Sequence, residues 1–257
     1  MTSTILVTGG TGTLGSHVVP LLRAAGRDVR VLSRQGRESA DGVEYVSGDL
    51  LKGEGIEAAV AGVDVVLHLA GGPKGDDEAT RNLMDAASRA GVRHVVHISV
   101  IGTDKMPLGY FRAKLGAERA VAESGIPWTT LRAAQFHDLV LTVVEKMGKL
   151  PVIPVPGGLR FQPVDAREVA ARLVELTLGE PAGLVPDLAG PKVYGMADLS
   201  RGYLRARGRH RLLMPVRMPG KAGRAYRAAE NLSIDGAVVG KRTWEDFLAE
   251  RVGQDEA

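Results

Sequence analysis

Residues 5–19 join a short apolar run to a glycine-rich turn and then to an amphipathic pattern. The run 5–7 is typical of a buried strand, and apolar residues recur at helical spacing from Leu14 onward. A strand that enters a helix N-terminus through glycines lets a phosphate approach the backbone, where free N–H groups and the helix dipole attract it. The stretch therefore predicts a diphosphate-binding turn, to which we assign Gly9, Thr11, Gly12, Thr13, Leu14 and Gly15.

The glycine spacing is informative only in this context. The chain has 33 glycines in 257 residues, so three of them fall at G-x-G-x-x-G spacing easily by chance. The strand before the turn and the helix after it carry the prediction. A P-loop is excluded, because Ser16 follows Gly15 directly and no lysine stands where it would reach a terminal phosphate.

The composition is that of an ordinary globular protein, with 44% apolar and 25% charged residues. The chain has no cysteine, which excludes disulfides and thiolate chemistry. Its first strand begins almost at the N-terminus, and no apolar run approaches the roughly 20 residues that span a bilayer. A net charge of +3 is too small to indicate nucleic acid. We therefore expect a cytoplasmic monomer or homodimer with a small-molecule substrate and no membrane or nucleic-acid partner.

Further apolar runs alternate with helical patterns along the first half of the chain. This alternation predicts an α/β fold with a doubly wound parallel sheet of the Rossmann type. We assign the dinucleotide-binding core to residues 1–132. Residues 133–257 are expected to add a small substrate-covering region and C-terminal helices, packed on the same domain. The predicted strands after the first are 29–32, 44–47, 63–69, 94–98 and 128–132.

The residues after the second predicted strand indicate which cofactor is bound. An NAD site usually has an acidic residue about 20 positions past the glycines, where it binds the ribose 2′-hydroxyl. This chain has Ser33 and Arg34 there, with Arg37 close behind and no acid before Glu38. A hydroxyl and a guanidinium suit a 2′-phosphate, because arginine binds phosphate through a paired N–H fork. The sequence therefore predicts NADP(H) rather than NAD(H).

A tyrosine and a lysine open the helix predicted after the fifth strand. Tyr110 and Lys114 are four residues apart, so they share a helix face. An adjacent ammonium favours the phenolate of a tyrosine. Tyr110 is therefore a candidate proton donor to a carbonyl oxygen that receives a hydride from nicotinamide. A surface tyrosine that packs on a lysine side chain would show the same spacing.

Together these motifs resemble an atypical short-chain dehydrogenase/reductase of the NmrA-like, NAD(P)-binding group, and the resemblance covers most of the chain. It implies that Asp49 and Leu50 flank the adenine and that Lys114 holds the nicotinamide ribose. It also implies that residues 133–137, with Gln135 and Phe136, lie beside the nicotinamide ring. Ala70 and Gly71 should lie at the diphosphate–ribose region. The matching segments are 8–15, 48–50, 68–71, 98–99, 110–114 and 131–136.

The third member of the usual catalytic set is the point where the chain departs from that family. The family usually has a serine or threonine slightly beyond the fifth strand, where it orients the substrate oxygen. Here Ser99 lies before the usual position of this residue, and Thr103 is a further candidate. We assign the role to Ser99, with Thr103 as the alternative. Two functions follow. The first is an NADPH-dependent reductase of a small carbonyl or enone compound, and the second is a non-catalytic NADP(H) sensor that acts through a protein partner.

Two remaining features have ordinary structural interpretations. His68, His94 and His97 lie on or beside strands without carboxylates at ligand spacing, so we predict no metal site. The stretch 201–227 contains nine Lys and Arg residues and no acid. It could bind an anionic ligand or an acidic partner. The favoured interpretation is a solvated basic face whose apolar residues point inward, namely Leu204, Leu212, Leu213 and Met214.

Overall fold

The computed structural model of the chain describes residues 4–39, 41–72 and 74–254. The strands are β1 (Thr4–Thr8), β2 (Asp28–Ser33), β3 (Val43–Ser47), β4 (Val65–His68), β5 (His94–Val100), β6 (Trp128–Ala133), β7 (Val152–Pro156), β8 (Arg160–Phe161), β9 (Gly183–Leu184), β10 (Leu188–Ala189), β11 (Tyr194–Gly195), β12 (Leu212–Val216) and β13 (Val238–Val239). The helices are α1 (Gly15–Ala24), α2 (Ile56–Val60), α3 (Asp76–Arg89), α4 (Gly109–Ala122), α5 (His137–Met147), α6 (Ala166–Leu178), α7 (Met196–Ala206), α8 (Gly220–Arg227) and α9 (Trp244–Gln254).

The chain forms two compact units, and neither is contiguous in sequence. Unit 1 consists of Met1–Ser99, Gly109–Arg132 and Val169–Val185, and unit 2 consists of Val100–Leu108, Ala133–Glu168 and Pro186–Ala257.

None of the helices in the described ranges is long and apolar enough to cross a membrane.

Unit 1 contains a sheet in the order β3-β2-β1-β4-β5-β6, with β9 next to β6. β1 pairs in parallel with both β2 and β4, and β2–β3 and β4–β5 are also parallel. Parallel neighbours need crossover connections. Helix α1 connects β1 to β2 and α3 connects β4 to β5, whereas the described residues between β2 and β3 contain no helix. This strand order places β1 at the centre, with successive strands added on either side of it. The predicted doubly wound α/β fold is confirmed.

The core of unit 1 depends on apolar strand residues that pack against α3. Leu6 and Val66 lie in one buried cluster with Leu83 and Ala87 of α3. Helix α4 lies very close to α3, because a Cβ added to Gly116 would be 2.7 Å from the Cβ of Asp77. The glycine therefore allows the middle of α4 to approach the first turn of α3.

Unit 2 has its own core, built from helices and a short parallel ribbon. Trp244 of α9 is fully buried, and its Nε1–H donates to the Leu199 carbonyl at 3.1 Å. Its ring stacks on Phe247. Strand β12 pairs in parallel with β7, and Ala133 at the end of β6 pairs with Leu188 of β10. The cluster also includes Val140, Val144, Ile153, Val155, Tyr194, Tyr203, Leu204 and Leu248.

The structure differs from the sequence prediction within residues 201–227. Leu204 is buried, as expected, but Leu212 is 69% exposed and Met214 is 49% exposed. The expectation that all four apolar side chains point inward is therefore wrong. These residues belong to a strand, in which successive side chains point to opposite faces. Leu213 packs against the core of unit 2, so Leu212 and Met214 face away from it.

We expect Trp244→Ala to be strongly destabilising. The substitution empties the centre of a buried aromatic cluster and removes a hydrogen bond, which should lower the free energy of unfolding by about 3–5 kcal/mol. Trp244→Phe keeps the ring stacking and should cost about half as much. Urea denaturation followed by circular dichroism measures both. A loss below about 1 kcal/mol for the alanine variant would contradict this account of the core.

Candidate functional site

The turn after β1 requires residues without a side chain at Gly9 and Gly15. Gly9 has a φ of +70°, and a Cβ there would lie 2.7 Å from the backbone nitrogen of Ala70. A Cβ on Gly15 would overlap the backbone of Gly10. The Gly12 N–H donates to the Gly9 carbonyl at 3.0 Å and closes the turn. The chain therefore passes from β1 into α1 through backbone contacts that any larger residue would break.

The outer side of this turn is open to solvent. Thr11, Gly12 and Thr13 are exposed, and a Cβ on Gly12 would meet nothing closer than the Gly9 carbonyl oxygen at 3.4 Å. Leu14 occupies the N-cap position and has no side-chain capping hydrogen bond. The N–H groups of Ser16 and His17 donate to the carbonyls of Gly12 and Leu14, at 2.9 and 3.1 Å. Because no side chain caps α1, the positive end of its dipole is open to an anion.

Ser33 and Arg34 lie where β2 ends. The Ser33 hydroxyl accepts a hydrogen bond from the Gln35 N–H at 3.3 Å. Arg34 is exposed, and its guanidinium forms no ion pair with a carboxylate of the described residues. Arg37, by contrast, has its guanidinium carbon 6.0 Å from the centroid of the Tyr45 ring. Arg34 is therefore the more available of the two arginines for an added phosphate.

Asp49 and Leu50 form a tight turn after β3. One carboxylate oxygen of Asp49 accepts the N–H groups of Leu51 and Lys52, at 2.9 and 3.3 Å. The Leu50 carbonyl accepts from the Asn82 side chain at 2.8 Å, and the Leu50 side chain packs on the core of unit 1. The turn is thus held in place by contacts on both sides.

The loop after β4 contacts both β1 and α4. The Ala70 N–H donates to the Thr8 hydroxyl at 3.2 Å. Gly71 is exposed, but a Cβ there would lie 2.6 Å from the Nζ of Lys114. The ammonium therefore lies directly against the Gly71 backbone, in the loop to which the diphosphate–ribose region is assigned.

Lys114 is held by a carboxylate that the sequence interpretation did not single out. Its side chain is buried, with the residue only 5% exposed, and its Nζ lies 2.9 Å from Oδ2 of Asp76. Asp76 is the first residue of α3 and is also buried. Asp76, Asp77 and Glu78 all lie in the first turn of α3, so the sequence did not show which of them faces inward.

Tyr110 lies one turn before Lys114 on α4 and is 39% exposed. Its ring packs edge-to-face on Phe111, with ring centroids 5.4 Å apart. The helix that buries the lysine ammonium therefore leaves the tyrosine side chain partly exposed to solvent.

Ser99 lies near the end of β5 and is 1% exposed. Its hydroxyl has no hydrogen-bond partner among the described residues. Thr103, the alternative, is also buried and belongs to unit 2. Neither hydroxyl is exposed to solvent in this structure.

The histidines form a buried, neutral group in unit 1. The two ring nitrogens of His68 lie 2.7 and 3.0 Å from the hydroxyls of Thr8 and Thr80. Its ring stacks on His97 with centroids 5.3 Å apart. Burial lowers the pKa of His68 to about 4, against the opposing charge of Asp76. Burial also lowers the pKa of His97, and His68 and Lys114 add to that effect.

Gln135 and Phe136 lie in unit 2, in the segment that follows β6. The Gln135 carbonyl accepts from the Val164 N–H at 3.0 Å, and Phe136 pairs with Val164 in an isolated bridge. The side-chain oxygen of Gln135 is buried without a hydrogen-bond partner among the described residues. Their assignment to the nicotinamide ring stays a prediction.

The fold and the turn define a dinucleotide-binding protein of the Rossmann type. Residues 9–176 match the model of a family described as NAD(P)H-binding, and the chain belongs to that family. The expected resemblance to atypical short-chain dehydrogenase/reductases is confirmed.

Two curated relatives cover most of the chain. A reductase of (4-alkanoyl-5-oxo-2,5-dihydrofuran-3-yl)methyl phosphate from Streptomyces griseus is 31% identical over 212 residues, which are 80% of this chain and 74% of the relative. An NAD(P)H azoreductase from Xenophilus azovorans has the same identity and coverage. The structure of an NADPH-dependent quinone oxidoreductase from Escherichia coli with NADPH aligns at a TM-score of 0.82 and 18% identity, covering 96% of this chain and 99% of the other.

We expect acid to destabilise the protein through His68. The unfolded chain protonates this histidine near pH 6.5, whereas the folded protein resists protonation down to about pH 4. The stability contributed by neutral His68 is present above pH 6.5 and is lost as the pH falls towards 4. It amounts to roughly 3 kcal/mol at most.

Urea denaturation at a series of pH values measures this loss. His68→Gln should flatten the pH dependence, while His210→Asn, at an exposed histidine, should leave it unchanged. The same slope in His68→Gln and the native protein would show that His68 does not carry the effect.

Proposed function

We propose that this chain is an NADPH-dependent reductase of a small carbonyl or enone compound. The observation that carries the proposal is the position of Lys114, whose ammonium is buried against Gly71 while Tyr110 stands one turn away and exposed. As the sequence predicts, we assign cofactor contacts to residues 1–132 and substrate-side segments to residues 133–257.

In this mechanism the residues of α4 have separate tasks. Lys114 binds the nicotinamide ribose hydroxyls, and Tyr110 donates its phenolic proton to the substrate oxygen. The bound cofactor supplies the hydride. As the π electron pair of the carbonyl moves to its oxygen, that oxygen would take the proton from Tyr110, and Tyr110 would regain one from water.

The preference for the phosphorylated cofactor is assigned to Ser33 and Arg34. Arg34 is exposed and forms no ion pair within the described residues, so binding a phosphate breaks no existing contact. A guanidinium forms charge-assisted hydrogen bonds with phosphate, and these are stronger than neutral ones.

The substrates named for the relatives support the reaction class. One relative reduces a phosphate ester that carries oxo and alkanoyl groups, one is an azoreductase, and one solved neighbour is a quinone oxidoreductase. All three names describe reduction of small compounds with unsaturated bonds. We propose that this chain acts on the same broad class.

A non-catalytic NADP(H) sensor is the second candidate. The observation that favours it is the burial of the Ser99 hydroxyl, which leaves the third catalytic role without an exposed side chain. A sensor would bind NADPH, consume it with no substrate of a broad panel, and bind a protein partner whose affinity depends on the cofactor.

We expect Arg34→Gln to weaken NADPH binding by about tenfold to a hundredfold, because the charge-assisted contact with the 2′-phosphate is lost. NADH binding should be unchanged. Titration calorimetry with both cofactors measures the two affinities. Arg37→Gln is the matched control and should bind NADPH as the native protein does, because Arg37 packs over Tyr45. Weaker NADPH binding in the control alone would assign the phosphate to Arg37 instead.

We expect Tyr110→Phe to lower kcat by about a hundredfold or more, because the proton donor is lost. The affinity for NADPH should stay the same, since the phenol is assigned to the substrate. The measurement is NADPH oxidation against a panel of quinones, enones and azo compounds. Tyr203→Phe, which removes a hydroxyl from the core of unit 2, is the control. Unchanged turnover in Tyr110→Phe would remove Tyr110 from the mechanism.

A further inference from the structure

Asp76 forms the ion pair that keeps the Lys114 ammonium inside the protein. Both residues are buried, and Nζ and Oδ2 are 2.9 Å apart. An ammonium taken out of water without a partner is strongly disfavoured, and a carboxylate at this distance compensates for the lost hydration. Asp76 therefore stabilises the ammonium of Lys114 in its buried position.

The same carboxylate also holds the loop that Lys114 touches. Oδ1 of Asp76 accepts the Gly72 N–H at 3.3 Å, and the ammonium lies against Gly71. Asp76 thus connects the first turn of α3, the loop after β4 and the lysine of α4. The close approach of α3 and α4 at Gly116 makes this three-way contact possible.

The neighbouring histidines do not replace Asp76. Burial keeps the pKa of His68 at about 4 and lowers that of His97, so both are neutral near pH 7. Within the described ranges, Asp76 is the carboxylate that pairs with Lys114. The position of the ammonium therefore depends on this one carboxylate.

A general role in helix stability does not explain the position of Asp76. Acids in the first turn of a helix stabilise it through the dipole, and Asp77 and Glu78 already fill that role in α3. Asp77 pairs with Arg81 at 3.2 Å on the surface. Asp76 alone of the three turns inward onto the lysine and the glycine loop.

We propose that Asp76 is the positioning residue that holds Lys114 against the Gly71–Gly72 loop, ready for the hydroxyls of the nicotinamide ribose. The proposal rests on the proposed function, in which Lys114 binds that ribose. It assigns to Asp76 no contact with the cofactor. Without the carboxylate, the ammonium would turn towards solvent, and the loop would lose its hydrogen bond.

The test compares two ligands in Asp76→Asn. NADPH would use both halves of the proposed site, whereas 2′,5′-ADP lacks the nicotinamide ribose and would use only the adenine side. The residues assigned to that side are the glycine turn, Ser33, Arg34, Asp49 and Leu50. We expect the Kd for NADPH to rise by about tenfold, the size of one charge-assisted hydrogen bond. The Kd for 2′,5′-ADP should stay within about twofold of the native value. Titration calorimetry measures both.

Two control variants separate positioning from general damage. Asp77→Asn removes an acid from the same helical turn, and Glu118→Gln breaks another largely buried ion pair of unit 1, with Arg132. Both should bind the two ligands as the native protein does. Asp76→Glu restores the charge and should recover part of the NADPH affinity. If Asp76→Asn does not fold, Asp76→Asn combined with Lys114→Met removes both charges and should match Lys114→Met alone in NADPH affinity.

Each outcome has a distinct meaning. Native NADPH affinity in Asp76→Asn overturns the inference and leaves the proposed function intact. Equal weakening of both ligands also overturns it, because the role of Asp76 would then be structural. A double variant that binds NADPH differently from Lys114→Met shows that Asp76 acts apart from the lysine. Failure of the native protein to bind NADPH overturns the proposed function itself, and this inference with it.

Discussion

The close backbone approach at the first βα turn is the constraint on which the rest of the nucleotide half depends. Gly9 lies against Ala70, and Gly15 lies against Gly10, in both cases with no room for a Cβ. These contacts bring the ends of β1 and β4 together. The N-terminus of α1, which follows the turn, has no side-chain cap. The same absence of side chains that makes the turn possible also opens the backbone to a phosphate.

Beside this open turn, unit 1 contains a buried charged pair in otherwise neutral surroundings. Lys114 and Asp76 are both nearly inaccessible to water, and burial keeps the adjacent histidines unprotonated. A buried charged group has few partners, so the loss of one partner costs more free energy than it would at the surface. The site thus combines a rigid backbone cradle with a cation whose position depends on one carboxylate.

The sequence predicted the class of fold and most elements of the first half, because their signals are local. Apolar runs, glycine turns and helical spacing act over a few residues, and the strands from β1 to β6 lie where they were expected. The second half was harder. Its strands are short, such as β9 at Gly183–Leu184 and β10 at Leu188–Ala189, so they leave little local signal. Within residues 201–227, the strand β12 pairs with β7, and its Leu212 and Met214 side chains are exposed.

By itself, the sequence determined the glycine turn and the parallel α/β architecture, because these follow from short-range sterics and periodicity. The family came from the resemblance of its motifs to known proteins. The sequence also placed Tyr110 and Lys114 on one helix face. Only the tertiary structure decided which of three adjacent acids in α3 meets Lys114, and that Ser99 is buried. Those facts depend on how closely α3 and α4 pack and on which side of each helix faces inward. Burial and pairing between distant segments are properties of the assembled core, and no local pattern records them.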